Sequence, residues 1–262
     1  MTKKKAILVV SFGTSYHETR KVTIDAIEQD IANAYPDYTI YRAWTSKMIL
    51  KKLKNEEQIH YDTVTEAFER MRVDGITDVV VQPTHVINGV ENNLMIQDAL
   101  HYSSSFASIE FGTPLLTTTE DNFYLIDTIQ KEFSDLQDEE ALVLMGHGTT
   151  HYSNAIYAAL DYTFKEQGYH NIYVGTVEAY PNLESLLPMV IKQQPKRVIL
   201  APFMIVAGDH ATNDMASDEP DSWRSQFEAA GFEVSCVLKG LGEYQMIRNL
   251  FLQHLNEVIQ KS

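Results

Sequence analysis

The chain of 262 residues carries a net charge of −15, is 44% hydrophobic and 22% charged, and contains one cysteine. A polypeptide of this size and composition folds into one large or two medium domains. So negative a surface excludes a binder of nucleic-acid backbone or of anionic membranes, which needs a basic face. No apolar run reaches the length of a membrane span, and the N-terminal run Ala6–Val10 is too short for an export signal, so a cytoplasmic protein is expected. Cys236 cannot form an intrachain disulfide and is expected to be a buried structural thiol in a reducing compartment.

Taken in order, Ala6–Val10 is a continuous apolar run, as a parallel strand covered on both faces requires. The loop Ser11-Phe12-Gly13-Thr14-Ser15 follows. Ser15 and Glu18 have capping-box spacing, and Ile24, Ile27 and Ile31 recur at helical intervals, predicting one helix of about five turns. A second strand over 38–44 precedes basic residues Lys47, Lys51, Lys52 and Lys54 and a helix bearing Val64, Phe68 and Met71. The third strand, 78–82, runs into Pro83-Thr84-His85 and then Asn88-Gly89-Val90-Glu91, before a helix with Ile96 and Leu100. A fourth strand, 108–111, and a helix with Phe123, Ile126, Ile129 and Phe133 complete the half. Alternating strands and helices predict a parallel sheet.

After the acidic stretch 135–140 the pattern restarts. Ala141–Thr150 aligns without a gap on Ala6–Ser15, with His147 where Phe12 stands. Val198–Pro202 aligns on Val79–Pro83, which brings Gly208 onto Gly89 and His210 onto Glu91. The chain is therefore an internal repeat. Strands are expected at 172–177, 197–203 and 233–238, with Pro220 in the first turn of a helix reaching Ala230 and an amphipathic helix through Ile247, Leu250, Phe251, Leu255 and Val258. The expected architecture is α/β with two similar lobes, each a four-stranded parallel sheet flanked by helices, spanning 1–137 and 138–262. The last helix is free to pack on the first lobe, and an active-site cleft is expected between the two.

Ligands in open parallel sheets bind beyond the carboxyl ends of the strands. The loops there carry His147, Glu178 and His210 in the second half, and His85 and Glu91 in the first. The richest stretch is 197–215, a strand leading into Asp209, His210, Asn213 and Asp214. Two imidazoles with carboxylates suit a borderline divalent ion such as Co²⁺, Fe²⁺, Ni²⁺ or Zn²⁺, and the same groups can act as bases. Spacing alone leaves metal binding and hydrogen-bonded loop histidines equally open. Asp209 and Asp214 read as loop-shaping groups or supports behind a ligand. Phe12 reads as an apolar wall, Trp44 as either core or a stacking surface, and His85 and His151 as contacts to a ligand or hydrogen-bonded structural residues. Ser11 lacks the Gly-x-Ser-x-Gly turn of a nucleophile, and Gly13 lacks the Gly-x-x-x-x-Gly-Lys phosphate loop.

Gly146-His147-Gly148-Thr149-Thr150-His151, Val177-Glu178-Ala179-Tyr180-Pro181 and Ala207-Gly208-Asp209-His210-Ala211-Thr212-Asn213-Asp214-Met215, with Asp221-Ser222-Trp223 downstream, resemble the anaerobic sirohydrochlorin cobaltochelatases of cobalamin biosynthesis. These are class II chelatases, and the likeness runs through nearly the whole chain. The resemblance implies a two-lobed chelatase fold and ATP-independent insertion of Co²⁺ into sirohydrochlorin. It implies metal binding by His147, Glu178 and His210 and matches Glu91 to a glutamate of the cleft; given that activity, His147, His210 and Glu91 are the catalytic candidates, and Phe12, His85 and Trp44 are the candidates to lie against the tetrapyrrole. Sirohydrochlorin is a polycarboxylate, so local cations must offset the negative chain; Arg20, Arg42 and Lys47 are candidates. Ferrochelatase or nickel chelatase activity, a non-catalytic tetrapyrrole- or metal-binding protein, and a non-haem iron oxygenase stay open, as does homo-oligomer formation.

Overall fold

The computed structural model describes residues 4–261, which form two compact units. The first takes the chain up to Thr117 and regains it from Gln245 onward; the second is Thr118–Tyr244.

In the first unit the order is β1 (Lys5–Ser11), α1 (His17–Val22), α2 (Ile24–Ala34), β2 (Thr39–Trp44), α3 (Lys47–Lys52), α4 (Val64–Val73), β3 (Asp78–Pro83), α5 (Val90–Leu100) and β4 (Ser108–Phe111). The four strands are parallel, in the order β2-β1-β3-β4. Every residue of β1 after Lys5 is buried, which accounts for its unbroken apolar run. One side of the sheet, through Ala6, Leu8, Val10, Val79 and Val81, joins Phe68 and Met71 of α4 and Met95 and Ala99 of α5 in a single core cluster.

The expected five-turn helix is broken at Thr23, whose backbone leaves the helical region (φ −120°, ψ −86°). The Thr23 hydroxyl bonds back to the Thr19 carbonyl, and a β-branched residue making that bond competes with the helical ladder. Tyr16 takes the N-cap position rather than Ser15, and its N–H is satisfied by Thr14 Oγ1 at 3.1 Å.

The second unit runs α6 (Thr119–Glu132), β5 (Glu140–Gly146), α7 (Ala155–Glu166), β6 (Ile172–Thr176), α8 (Leu183–Gln193), β7 (Arg197–Phe203), α9 (Trp223–Ala229) and β8 (Glu233–Cys236). Its sheet, β6-β5-β7-β8, repeats the first in order and in parallel direction. Thr118 and Asp121 form a reciprocal capping box that starts α6. Ser222, not Pro220, begins α9, its side chain accepting from Ser225 N–H at 3.1 Å. Cys236 ends β8 half-buried, with burial raising its pKa above the ordinary thiol value.

The closing helix α10 (Gln245–Ile259) belongs to the first unit, packing on α2 and β3 through buried Ile247, Leu250, Phe251 and Leu255. Arg248 adds an ion pair to Asp30 of α2 at 2.7 Å. Correspondingly α6, the helix that follows the fourth strand of the first half, packs on α7 in the second unit. The compact units thus divide at 117/118 with a return at 245, where the sequence pattern divides the chain at 137/138.

Candidate metal centre

In both sheets the chain runs from the central strand to one neighbour and then crosses to the other side, so the topological switch lies between β1 and β3, and between β5 and β7. Such a point opens a crevice at the carboxyl ends of the strands. The residues immediately past those ends in the second unit are His147, after β5, and the 204–210 loop, after β7.

Three local devices bring His147, Glu178 and His210 together. Parallel pairing continues past the strand ends, with Val177 N–H donating to Gly146 O and Glu178 N–H to His147 O, both at 2.9 Å, so Glu178 lies beside His147. The following turn doubles back, with Thr176 N–H donating to Pro181 O at 2.6 Å across a chain that contains the cis Tyr180–Pro181 bond. The loop after β7 is backed by 240–242: Leu241 and Gly242 N–H donate to Met204 and Ile205 carbonyls at 2.8 and 3.0 Å. Its end is a π-helical turn, Ala211–Met215, fastened by Ala211 and Met215, both fully buried. His210 stands directly before this turn.

The imidazole centroids of His147 and His210 are 4.7 Å apart and nearly perpendicular. Glu178 lies against both, one carboxylate oxygen 3.6 Å from His147 Nδ1 and the other 3.8 Å from His210 Nε2. The three side chains can each offer one ligand atom, all within 4.8 Å of one another. They remain accessible, with side chains 38%, 53% and 30% exposed for His147, Glu178 and His210. The ring contacts also show which nitrogen of each imidazole faces an acceptor. His147 Nδ1 is 2.8 Å from Gly148 O, and His210 Nδ1 is 2.7 Å from Asp214 Oδ2. A carbonyl and an ionised carboxylate only accept, so each Nδ1 donates its hydrogen and the lone pair of each neutral ring falls on Nε2.

Gly148 can present its carbonyl because its φ is +87°, and a Cβ there would lie 2.9 Å from Ala179 N and Cβ. Asn154 bridges the loops, its Oδ1 accepting from Thr149 N–H at 2.9 Å and its amide donating to Tyr180 O. His151 accepts from Ser153 N–H at 3.2 Å through Nδ1 and caps a short turn. A second group among the described residues, His60, Asp62 and Glu66, is similarly compact but already engaged: Arg70 holds Asp62 at 2.6 Å, and Glu66 closes the α4 capping box with Thr63.

In the first unit, Phe12 follows β1 and is 40% exposed, an accessible apolar ring at the switch point. His85 follows β3 and is buried; neither ring nitrogen has a hydrogen-bond partner among the described residues. Burial lowers its pKa to about 4, with the nearby Asn92 side chain acting the other way. Glu91 sits half-buried in the first turn of α5. Trp44 is 1% exposed, stacked on Tyr61 at 4.1 Å and covered by Gly13, so its ring serves the core rather than a ligand. Arg42 is paired with Glu28 and Asp25 of α2, and Arg20 with Asp25, whereas Lys47 is exposed and has no such pairing among the described residues.

The Gly148 carbonyl is a main-chain acceptor and has no signature in the sequence beyond the glycines on either side of His147. Composition groups Asp214 with Asp209. The four-residue spacing from His210 was the available signal, because such a pair can meet across one turn.

Two parallel α/β sheets of identical strand order, with two imidazoles and a carboxylate at one switch point, define a protein of the chelatase type. The cobalt chelatase (CbiK) family model matches residues 5–260. The chain is 40% identical to the sirohydrochlorin cobaltochelatase of Salmonella typhimurium over 256 residues, covering 98% of this chain and 97% of that protein. It is 30% identical over 259 residues to the sirohydrochlorin cobaltochelatase CbiKC of Nitratidesulfovibrio vulgaris, covering 98% and 91%. Among solved structures, SirB from Bacillus subtilis with Fe³⁺ shares the fold, with TM-score 0.66 and 15% identity over 97% of this chain and 95% of that one. This chain belongs to the cobalt chelatase (CbiK) family.

Proposed function

We propose that the protein inserts Co²⁺ into sirohydrochlorin without ATP, with His147, Glu178 and His210 holding the incoming metal. The observation that carries the site assignment is the convergence of two imidazoles and one carboxylate from three separate loops, each offering one ligand atom within 4.8 Å of the others. Three protein ligands leave coordination positions open, so ring nitrogens can enter as protein ligands depart. Insertion also releases two pyrrole protons. The vacated imidazoles can accept protons, and Glu91 is assigned to assist their removal. Phe12 offers an apolar contact for the macrocycle, and Lys47 a cation for its carboxylates. Metal and tetrapyrrole are both substrates, and no nucleotide enters the reaction.

The test is anaerobic insertion followed by absorbance, with sirohydrochlorin and Co²⁺, Fe²⁺ or Ni²⁺ supplied separately and no ATP. Co²⁺ is expected to be inserted, and His147→Ala and His210→Ala to lose at least about a hundredfold in rate, the usual scale for removing a group that acts in the transition state. Near-wild-type rates in both variants would reject the assignment.

A further inference from the structure

We infer that Asp214 is the positioning residue of His210, selecting its metal-binding tautomer and strengthening it as a donor. The inference rests on the reading of His147, Glu178 and His210 as the metal site. Asp214 Oδ2 lies 2.7 Å from His210 Nδ1, on the side of the ring opposite to Nε2, which faces Glu178 Oε1 at 3.8 Å. The pair spans the Ala211–Met215 turn, whose two ends are fully buried, so the carboxylate is delivered from a rigid support. Asp209, by contrast, accepts from Asn213 at 3.0 Å and shapes the loop.

The two histidines are therefore held by unlike groups. Gly148 offers His147 a neutral carbonyl at 2.8 Å, whereas Asp214 offers His210 an anion. A charge-assisted bond is shorter and stronger than a neutral one, and a carboxylate behind an imidazole raises its basicity toward a metal. Without Asp214, neutral His210 can place its hydrogen on either nitrogen and rotate about its side-chain bonds. The share of molecules with the lone pair aimed beside Glu178 then falls, and apparent metal affinity falls with it. His147 keeps its tautomer, because its acceptor is main chain.

The experiment uses the full-length protein without tetrapyrrole. Co²⁺ alone is titrated into wild type, Asp214→Ala, Asp214→Asn and His210→Ala, read by ligand-field absorption, and ¹⁵N–¹H spectra of the metal-free proteins report each ring's tautomer. Asp214→Ala is expected to weaken Co²⁺ binding about 10–100-fold and to give His210 mixed tautomers while His147 is unchanged. Asp214→Asn retains an acceptor oxygen without charge and falls between. Affinity within about twofold of wild type in Asp214→Ala, or an unchanged His210 tautomer, overturns the inference. Loss of binding in His210→Ala with none in Asp214→Ala rejects the role of Asp214 alone. Wild-type binding in His210→Ala rejects the metal-site reading instead, and the tautomer spectra still decide Asp214.

Discussion

His85 makes the stability of the protein depend on pH in a calculable way. Its ring is buried and its pKa is lowered to about 4 from 6.5. Between these values the unfolded chain holds a proton that the folded chain does not. Stability therefore rises with pH through this window and is lost as pH falls from about 6.5 toward 4. The full shift of about 2.5 units corresponds to about 3 kcal/mol, of which about 2 kcal/mol is already lost at pH 5. Other groups also titrate, so the informative quantity is the wild-type stability minus that of His85→Asn, measured by urea unfolding at several pH values. Asparagine does not titrate, and its packing cost is a constant offset. The difference should shift in favour of the variant by about 2 kcal/mol between pH 8 and pH 5. A difference flat to within about 0.5 kcal/mol, or a His85 ring titrating near its ordinary value by NMR, would refute the reasoning.

Gly148→Ala should cost about 1–3 kcal/mol in urea unfolding and also weaken Co²⁺ binding, because its positive φ and the 2.9 Å contacts to Ala179 both resist a side chain and the carbonyl on His147 must move. Unchanged stability and affinity would show that the turn tolerates a Cβ. Ending the chain after Tyr244 removes four buried apolar side chains of α10, each worth about 1.5–3 kcal/mol, so hydrogen exchange should show lost protection in β1–β4. Retained protection there would mean that α10 is dispensable to the first unit. Arg42→Ala should destabilise by about 3 kcal/mol, since Glu28, whose pKa burial already raises, loses the guanidinium that offsets it. A loss below about 1 kcal/mol in urea unfolding would mark the pair as an ordinary surface bridge.

The strands were legible because strands buried on both faces read as continuous apolar runs, and the repeat was legible because two runs, Ala6–Val10 and Ala141–Met145, end in matching loops. That alignment places His147 on Phe12 and His210 on Glu91, beyond the ends of β5 and β7, and the structure brings the two imidazoles to 4.7 Å. The break at Thr23 was not legible: it depends on one hydroxyl competing for one carbonyl, while the isoleucine spacing on either side continues undisturbed. Nor does the apolar stripe of α10 name its partner, since amphipathic spacing shows that a face is buried and not what buries it. Trp44 reads as either core or ligand contact for the same reason. Asp209 and Asp214 are alike in composition, each standing four residues from a polar partner, and the hydrogen bonds assign one to Asn213 and the other to His210.

The central claim is that His147, Glu178 and His210 together bind the substrate metal. Co K-edge X-ray absorption on tetrapyrrole-free protein loaded with one equivalent of Co²⁺ addresses it directly. Outer-shell scattering from two imidazoles alongside oxygen ligands is expected, reduced to one imidazole in either His147→Ala or His210→Ala. A wild-type spectrum lacking imidazole scattering, or one that neither substitution alters, would contradict it.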